Sequence, residues 1–302
     1  MQLSLWPSTS QSWTDLVAAA HHADATGWHC LYVADHFMGD GDGFGPEDRP
    51  WLEATGVLAA LAGSTERVRL APLVLSATYR HPAVVANWAS TVDHASGGRL
   101  TLGLGAGWQR NEHEQYGIAL GSPGTRVRRL DEHLAVVRGL LTDDRTTVAG
   151  EFYDVRDAVC HPRPVQRPLP ILVGAKGERM LGLVARHADA WNTWSTPSVM
   201  RERAAVLARR CEEVGRDPAT VHRSTQALVL VTDDRQRARS FVEGVAPRAA
   251  VAGPPESFAE VVAGWADAGV DEVIVPDWQL GVGSERAEAM DALRGAVGPL
   301  LD

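Results

Sequence analysis

Asp35 and His36 end the run CLYVAD and open a glycine-rich segment, MGDGDGFGPEDRP. A histidine at such a junction is a candidate proton donor or acceptor near neutral pH. The aspartate beside it points the other way in an extended chain and is placed to hold neighbouring backbone; the plainer alternative is an Asp N-cap and a loop histidine. A second candidate is Gly174-Ala175-Lys176-Gly177, set between an apolar run at 171–173 and a segment of helical period. Free backbone N–H groups and the positive end of a helix converge there on a volume suited to a phosphate. Lys176 is the one lysine among 29 basic residues, and its ammonium adds a point charge; the alternative is an ordinary turn with a solvated lysine. In GLGAGWQRNE, Gly103, Gly105 and Gly107 strip side chains from one face of an extended chain, so that a flat ligand can approach the backbone, although tight packing produces the same pattern. Arg110 stands where a dinucleotide fingerprint needs its third glycine, and the Walker spacing is absent. Trp6, Trp108, Trp191, Trp194 and Trp278 fall at or just beyond strand ends, where their flat apolar faces suit a planar aromatic ligand or cap a core. His21-His22 lies in a helical segment without HxH or HExxH spacing, and no metal site is expected.

These residues are positioned by an alternation of short apolar runs and longer segments of helical period, the pattern of βα units and a parallel sheet. Strands are expected at 3–6, 30–35, 67–75, 97–107, 171–173, 188–194, 220–231 and 271–277, with a two-part helical region before the last. Ser12 is a good N-cap for the first helix and Gly27 closes it, while Pro82 takes a first-turn position in another. The rhythm breaks at 143–168, where TTVAGEFYDV reads as a small hairpin and CHPRPVQRPLP is too proline-rich for regular structure. Eight strands and eight crossovers make a (β/α)8 TIM barrel, a single domain spanning 1–302 with an insertion at about 118–168 between strands four and five; a doubly wound sheet would use fewer strands. In a barrel the active site lies at the C-terminal ends of the strands, where His36, Gly105, Lys176 and the tryptophans fall.

Composition narrows the function classes. A chain that is 45% hydrophobic buries a substantial core, and a net charge of −9 argues against a nucleic-acid partner. The N-terminus lacks a basic region, and no apolar run is long enough to span a bilayer, so neither export nor a membrane partner is expected. Cys30, Cys160 and Cys211 show neither disulfide-framework nor zinc spacing, which fits a reducing cytoplasm.

Together these stretches resemble the luciferase-like monooxygenase superfamily, and within it the branch of oxidoreductases that use the deazaflavin coenzyme F420. The likeness is carried by LYVADHF (31–37), the segment 67–118, EFYDV ahead of PRPVQRPLPILVGAKGER, and RHADAWN (186–192). It implies a barrel that holds a flavin-like ring at its C-terminal face. Asp35 and His36 match the pair beside the reactive ring edge, with His36 as general acid or base. Leu73-Val74 match a non-proline cis peptide behind the ring. Gly105, Ala106, Gly107, Trp108 and Asn111 match the loop along the ring, and Gly174, Ala175, Lys176 and Gly177 the phosphate turn after the fifth strand. Trp6, Trp191, Trp194 and Trp278 are then the expected substrate pocket, for a small apolar or aromatic molecule. Trp108 departs from the glutamate that sugar-phosphate dehydrogenases of the branch carry there. The deazaflavin tail bears extra carboxylates, for which Arg80, Arg110 and Arg179 are candidate partners. The resemblance leaves two alternatives: an FMN-dependent monooxygenase served by a separate flavin reductase, and a non-catalytic flavin-binding barrel. It also implies a homodimer.

Overall fold

In the computed structural model, which describes residues 1–301, the first half of the chain runs β1 (Gln2–Trp6), α1 (Trp13–Thr26), β2 (Cys30–Val33), α2 (Ala54–Ala62), β3 (Arg69–Pro72), β4 (Leu75–Ser76), α3 (Pro82–Ala95), β5 (Leu102–Gly105), α4 (Arg110–Gln115) and α5 (Pro123–Thr142). It continues through β6 (Thr146–Ala149), β7 (Asp154–Ala158), β8 (Ile171–Gly174), α6 (Glu178–His187), β9 (Ala190–Asn192), α7 (Pro197–Glu213), β10 (His222–Gln226), β11 (Leu228–Val231), α8 (Arg235–Val245), β12 (Ala250–Gly253), α9 (Pro255–Ala266), β13 (Glu272–Pro276) and α10 (Gly283–Val297). Helix ends follow local chemistry: Ser12 Oγ accepts the Asp15 N–H at the start of α1, and Gly27 ends that helix at φ 81°.

Nine strands form one parallel sheet in the order β3-β2-β1-β13-β10-β9-β8-β5-β4. The strands at the two ends of this order, β3 and β4, are halves of one run, separated by Leu73–Val74, whose peptide bond is cis as the resemblance implies. The third expected strand is thus divided: β3 pairs with β2, and β4 pairs with β5 through Leu75–Leu104 and Ser76–Gly105. A parallel bridge between Leu70 and Leu100 brings the sheet round on itself, giving the eight strand positions of the expected TIM barrel. The antiparallel pair β6–β7 lies in the segment between β5 and β8.

Two expected elements differ. The seventh strand divides at Ala227: β10 stays in the barrel, while β11 leaves it and pairs in parallel with β12. β12 itself lies within the stretch where a two-part helical region was expected, between its two helices α8 and α9. Pro247 and Pro254 flank it and interrupt helical hydrogen bonding, and the intervening residues find their backbone partners in β11.

Side chains alternate along each barrel strand between two cores. Leu3, Leu5, Leu31, Val33, Val173, Val273 and Val275 pack outward against the helices. Trp6, Cys30, Tyr32, Ala71, Leu172, Ala190 and Ile274 form a second cluster inside the barrel. At the strand starts this interior also holds a buried carboxylate. Glu272 accepts Ser4 Oγ at 2.5 Å and Tyr32 OH at 3.0 Å, and lies 3.1 Å from His222 Nε2. Burial opposes both charges, yet their pairing prevails: His222 is held above its ordinary 6.5 and Glu272 below its ordinary 4.5.

The pair therefore contributes most between pH 4.5 and 6.5. The Glu272 share is lost as pH falls through its lowered value, and the His222 share as pH rises through its raised value. Glu272→Gln is expected to cost about 3 kcal/mol within this window and to flatten both flanks of the stability profile. Thermal denaturation across the window checks it; a variant that keeps the wild-type profile would show that the pair is energetically idle.

Candidate active site

The C-terminal ends of the strands surround a cleft of about 960 Å³. Its shape begins with glycine. A Cβ on Gly103 would fall 2.0 Å from the Pro72 carbonyl oxygen, and one on Gly105 would fall 2.5 Å from Val74 Cγ2. The alternating glycines of β5 therefore make room first for the Pro72–Val74 bulge. Val74 also packs over Gly174, where a Cβ would sit 3.2 Å from Cγ2. Leu73 and Val74 form an apolar ledge lining the cleft between β5 and β8.

Asp35 anchors that ledge. Its carboxylate accepts the Ser76 N–H at 2.8 Å and both arms of Arg80, at 2.8 and 2.9 Å. Burial pushes Asp35 up, while Arg80 and Ser76 act against it. Arg80 also bonds Glu53, so its charge is spent inside the fold.

His36 lines the cleft within a ring of aromatic neighbours: Phe44 at 5.1 Å, Trp108 at 5.3 Å and Trp51 at 5.9 Å between centroids. Its Nδ1 lies 2.9 Å from Oε1 of the buried Glu112. The same carboxylate accepts the Phe37 N–H at 2.9 Å and the Tyr79 hydroxyl. Burial, and then the Glu112 hydrogen bond and charge, push the Tyr79 phenol far up, so it remains a donor. A carboxylate locked in this way fixes a proton on His36 Nδ1 and leaves Nε2 to exchange one.

At the other end, the turn Gly174–Gly177 leads into α6, whose N-cap Gly177 supplies no side-chain acceptor. Lys176 lines the cleft with Arg126, Arg203 and Arg248. Burial, and then the charges of Arg203 and Arg248, lower the Lys176 ammonium from its ordinary value. This end of the cleft can hold an anion with several charges.

Of the residues expected here, Trp6, Asp35, His36, Leu73, Val74, Gly105, Ala106, Gly107, Trp108, Gly174, Ala175, Lys176, Trp194 and Trp278 line the cleft. Three others do not. Trp191 is fully buried, because Ala190 faces the barrel interior and strand alternation turns Trp191 to the helix side; its Nε1 donates to Ala175 O at 2.9 Å. Asn111 instead donates to Gly39 O at 2.8 Å and Glu47 Oε1 at 3.1 Å, tethering the glycine-rich loop. Gly177 serves as the helix cap behind the turn. The candidate cations Arg110 and Arg179 also lie outside the cleft lining.

Sequence reasoning missed Glu112, Phe44, Trp51, Arg126, Arg203 and Arg248. Glu112 follows Trp108 by four residues, so a carboxylate reaches the site from α4, beyond the position where the resemblance placed one. Phe44 sits between Gly43 and Gly45, and only the fold brings it to His36.

Residues 1–247 match the family described as luciferase-like monooxygenase. The chain belongs to this family. Among its relatives is the F420-dependent hydroxymycolic acid dehydrogenase of Mycobacterium tuberculosis, 30% identical over 226 residues, which cover 74% of this chain and 61% of that one. The solved structure of an F420-dependent secondary alcohol dehydrogenase in complex with an F420-acetone adduct superposes with a TM-score of 0.84 at 18% identity, covering 97% of this chain and 100% of the other. The monooxygenase RslO1 from Streptomyces bottropensis superposes with a TM-score of 0.79 at 22% identity, covering 99% of each. The TIM-barrel fold of the family is the one observed here.

The His36–Glu112 contact predicts a tautomer. Nitrogen-15 spectra of the imidazoles are expected to show neutral His36 protonated at Nδ1, and Glu112→Gln to redistribute that proton toward Nε2. Identical tautomer populations in the two proteins would show that Glu112 does not orient the ring.

Proposed function

We propose that this protein is an F420-dependent oxidoreductase that transfers a hydride between the deazaflavin and a small organic substrate with an apolar or aromatic body. The observation that carries this reading is the cationic end of the cleft. Arg126, Lys176, Arg203 and Arg248 line the cleft, Arg203 and Arg248 close enough to Lys176 to act on its ammonium, and among the described residues none of the four is ion-paired with a carboxylate; Arg203 bonds Thr193 Oγ1 at 2.5 Å and Trp194 O at 2.8 Å. One phosphate calls for one or two such charges, whereas a phosphodiester tail extended by carboxylates uses all four. The F420-dependent relatives support the same choice.

The residues present fit such a group. Val74 stands over the side-chain-free faces of Gly105 and Gly174 and offers a planar ring an apolar backing. Gln226 Oε1, buried beside the cleft without a hydrogen-bond partner, is an acceptor suited to a ring N–H. Gly174, Ala175 and Lys176 would hold the phosphate, with Arg203 and Arg248 toward the tail. Bound F420 supplies a hydride donor or acceptor at its C5. His36 gives or takes the accompanying proton at Nε2, while Glu112 holds Nδ1. Trp6, Trp194 and Trp278 pack the substrate body and exclude water.

Fluorescence titration of the purified protein tests the cofactor. F420 is expected to bind about tenfold or more tightly than FMN, and Arg203→Ala or Arg248→Ala to weaken F420 while leaving FMN nearly unchanged. Tighter binding of FMN would favour the monooxygenase reading and overturn this one.

Lys176 adds a pH dependence. Its pKa is lowered, so affinity for the anionic tail should decline as pH rises through a value below that of an ordinary lysine. Lys176→Ala is expected to weaken binding by tenfold or less, about 1 kcal/mol, and Lys176→Arg to abolish the alkaline decline. A decline that persists in Lys176→Arg would place the titration elsewhere.

A further inference from the structure

Of the two guanidinium groups that act on the Lys176 ammonium, one is held by hydrogen bonds and the other is not. Arg203, on α7, bonds Thr193 Oγ1 and Trp194 O. The side chain of Arg248, in the turn before β12, makes neither a hydrogen bond nor an ion pair among the described residues. It packs instead on a bare stretch of backbone. A Cβ on Gly43 would fall 2.6 Å from both Cζ and Nη1 of Arg248 and closer still to Nη2. The flat guanidinium therefore lies against the Gly43 Cα, in space that any side chain at position 43 would fill.

Gly43 itself is firmly placed. It stands in the β2–α2 connection, where Asp40 Oδ1 accepts the N–H groups of Asp42 and Phe44 at 3.0 and 2.8 Å. The Gly41 N–H donates to Gly45 O at 2.9 Å, and the Gly45 N–H to Asp42 O at 3.0 Å. From α4, Asn111 holds Gly39 O at the stem of the same turn. None of these bonds involves Arg248, so a methyl group at position 43 would displace the guanidinium and leave the turn in place. Gly43 does not adopt a positive φ, and the three atoms nearest the added Cβ all belong to the free end of the Arg248 side chain. An alanine there meets no backbone strain.

We propose that Gly43 is a positioning residue for Arg248 and, through it, a specificity-determining position of the cleft. The missing side chain seats a guanidinium where it acts with Lys176 and Arg203 on a bound anion, and so selects ligands that carry negative charge beyond a single phosphate. Asp42 and Phe44, on either side of Gly43, line the cleft as Arg248 does. One short turn thus brings Phe44 against His36 and seats Arg248. As a determinant of cofactor choice, Gly43 rests on the F420 reading; its hold on Arg248 does not.

The test is a double-mutant cycle read by calorimetric titration of the cofactor-free protein with F420, FMN and inorganic tripolyphosphate. Gly43→Ala and Arg248→Ala are each expected to weaken F420 and tripolyphosphate about tenfold and to leave FMN nearly unchanged. Combined, they should weaken the first two no more than Arg248→Ala alone, because the methyl group acts only by moving the guanidinium. The melting temperature of Gly43→Ala should match the wild-type value; a lowered one would show that the turn gives way rather than the side chain, and overturns the assignment. So does an unchanged affinity in Gly43→Ala, an equal loss for FMN, or a loss that persists undiminished in the Arg248→Ala background. If tripolyphosphate follows the expected pattern and F420 does not bind, the positioning role stands and the cofactor reading fails. If F420 binds more tightly than FMN and Gly43→Ala leaves it unchanged, the reverse holds; if neither F420 nor tripolyphosphate binds, both fail.

Discussion

The buried carboxylate of Asp35 holds the point on which the site depends. The chain from Arg69 to Ser76 pairs with β2 on one side and β5 on the other, and the Ser76 amide and Arg80 are tied to Asp35 just beyond that crossing. With this end fixed, Leu73 and Val74 are directed over glycines in β5 and β8 and form the apolar ledge of the cleft. Arg80 is consumed in the process, which explains why an arginine beside the site contributes nothing to its free positive charge.

Charge in the cleft is segregated. His36 stands with a carboxylate that has three donors, whereas Lys176 stands with the charges of Arg203 and Arg248 and, among the described residues, is ion-paired with no carboxylate. A low-dielectric site strengthens such interactions; burial, and after it the charges of Arg203 and Arg248, lower the Lys176 ammonium. A ligand with a neutral reactive ring and a polyanionic tail complements this layout at both ends. The rings of Trp6, Phe44 and Trp278 line the cleft and pack edge to face.

The barrel was legible in the chain because its signals are local. Apolar runs of strand length, Ser12 and Gly27 at the ends of α1, and Pro82 at the start of α3 all act through neighbouring backbone. His36 and the turn at Gly174 could be placed for the same reason, since a strand end is defined by where its apolar run stops. The departures also had local physics behind them. Trp191 follows the period of two that sends Ala190 inward, and Pro247 and Pro254 leave room only for the short strand β12.

By itself, the sequence determined the fold class, the strand ends that meet at the site, and the resemblance to luciferase-like enzymes. The tertiary structure alone decided which side chains complete the site. Glu112 reaches His36 across 76 residues of chain, and Arg203 from α7 and Arg248 from the turn before β12 join Lys176. Pairings of this kind arise from side-chain direction and barrel closure, which a linear pattern does not encode, and in a chain rich in arginine only proximity separates the useful guanidinium groups from the rest.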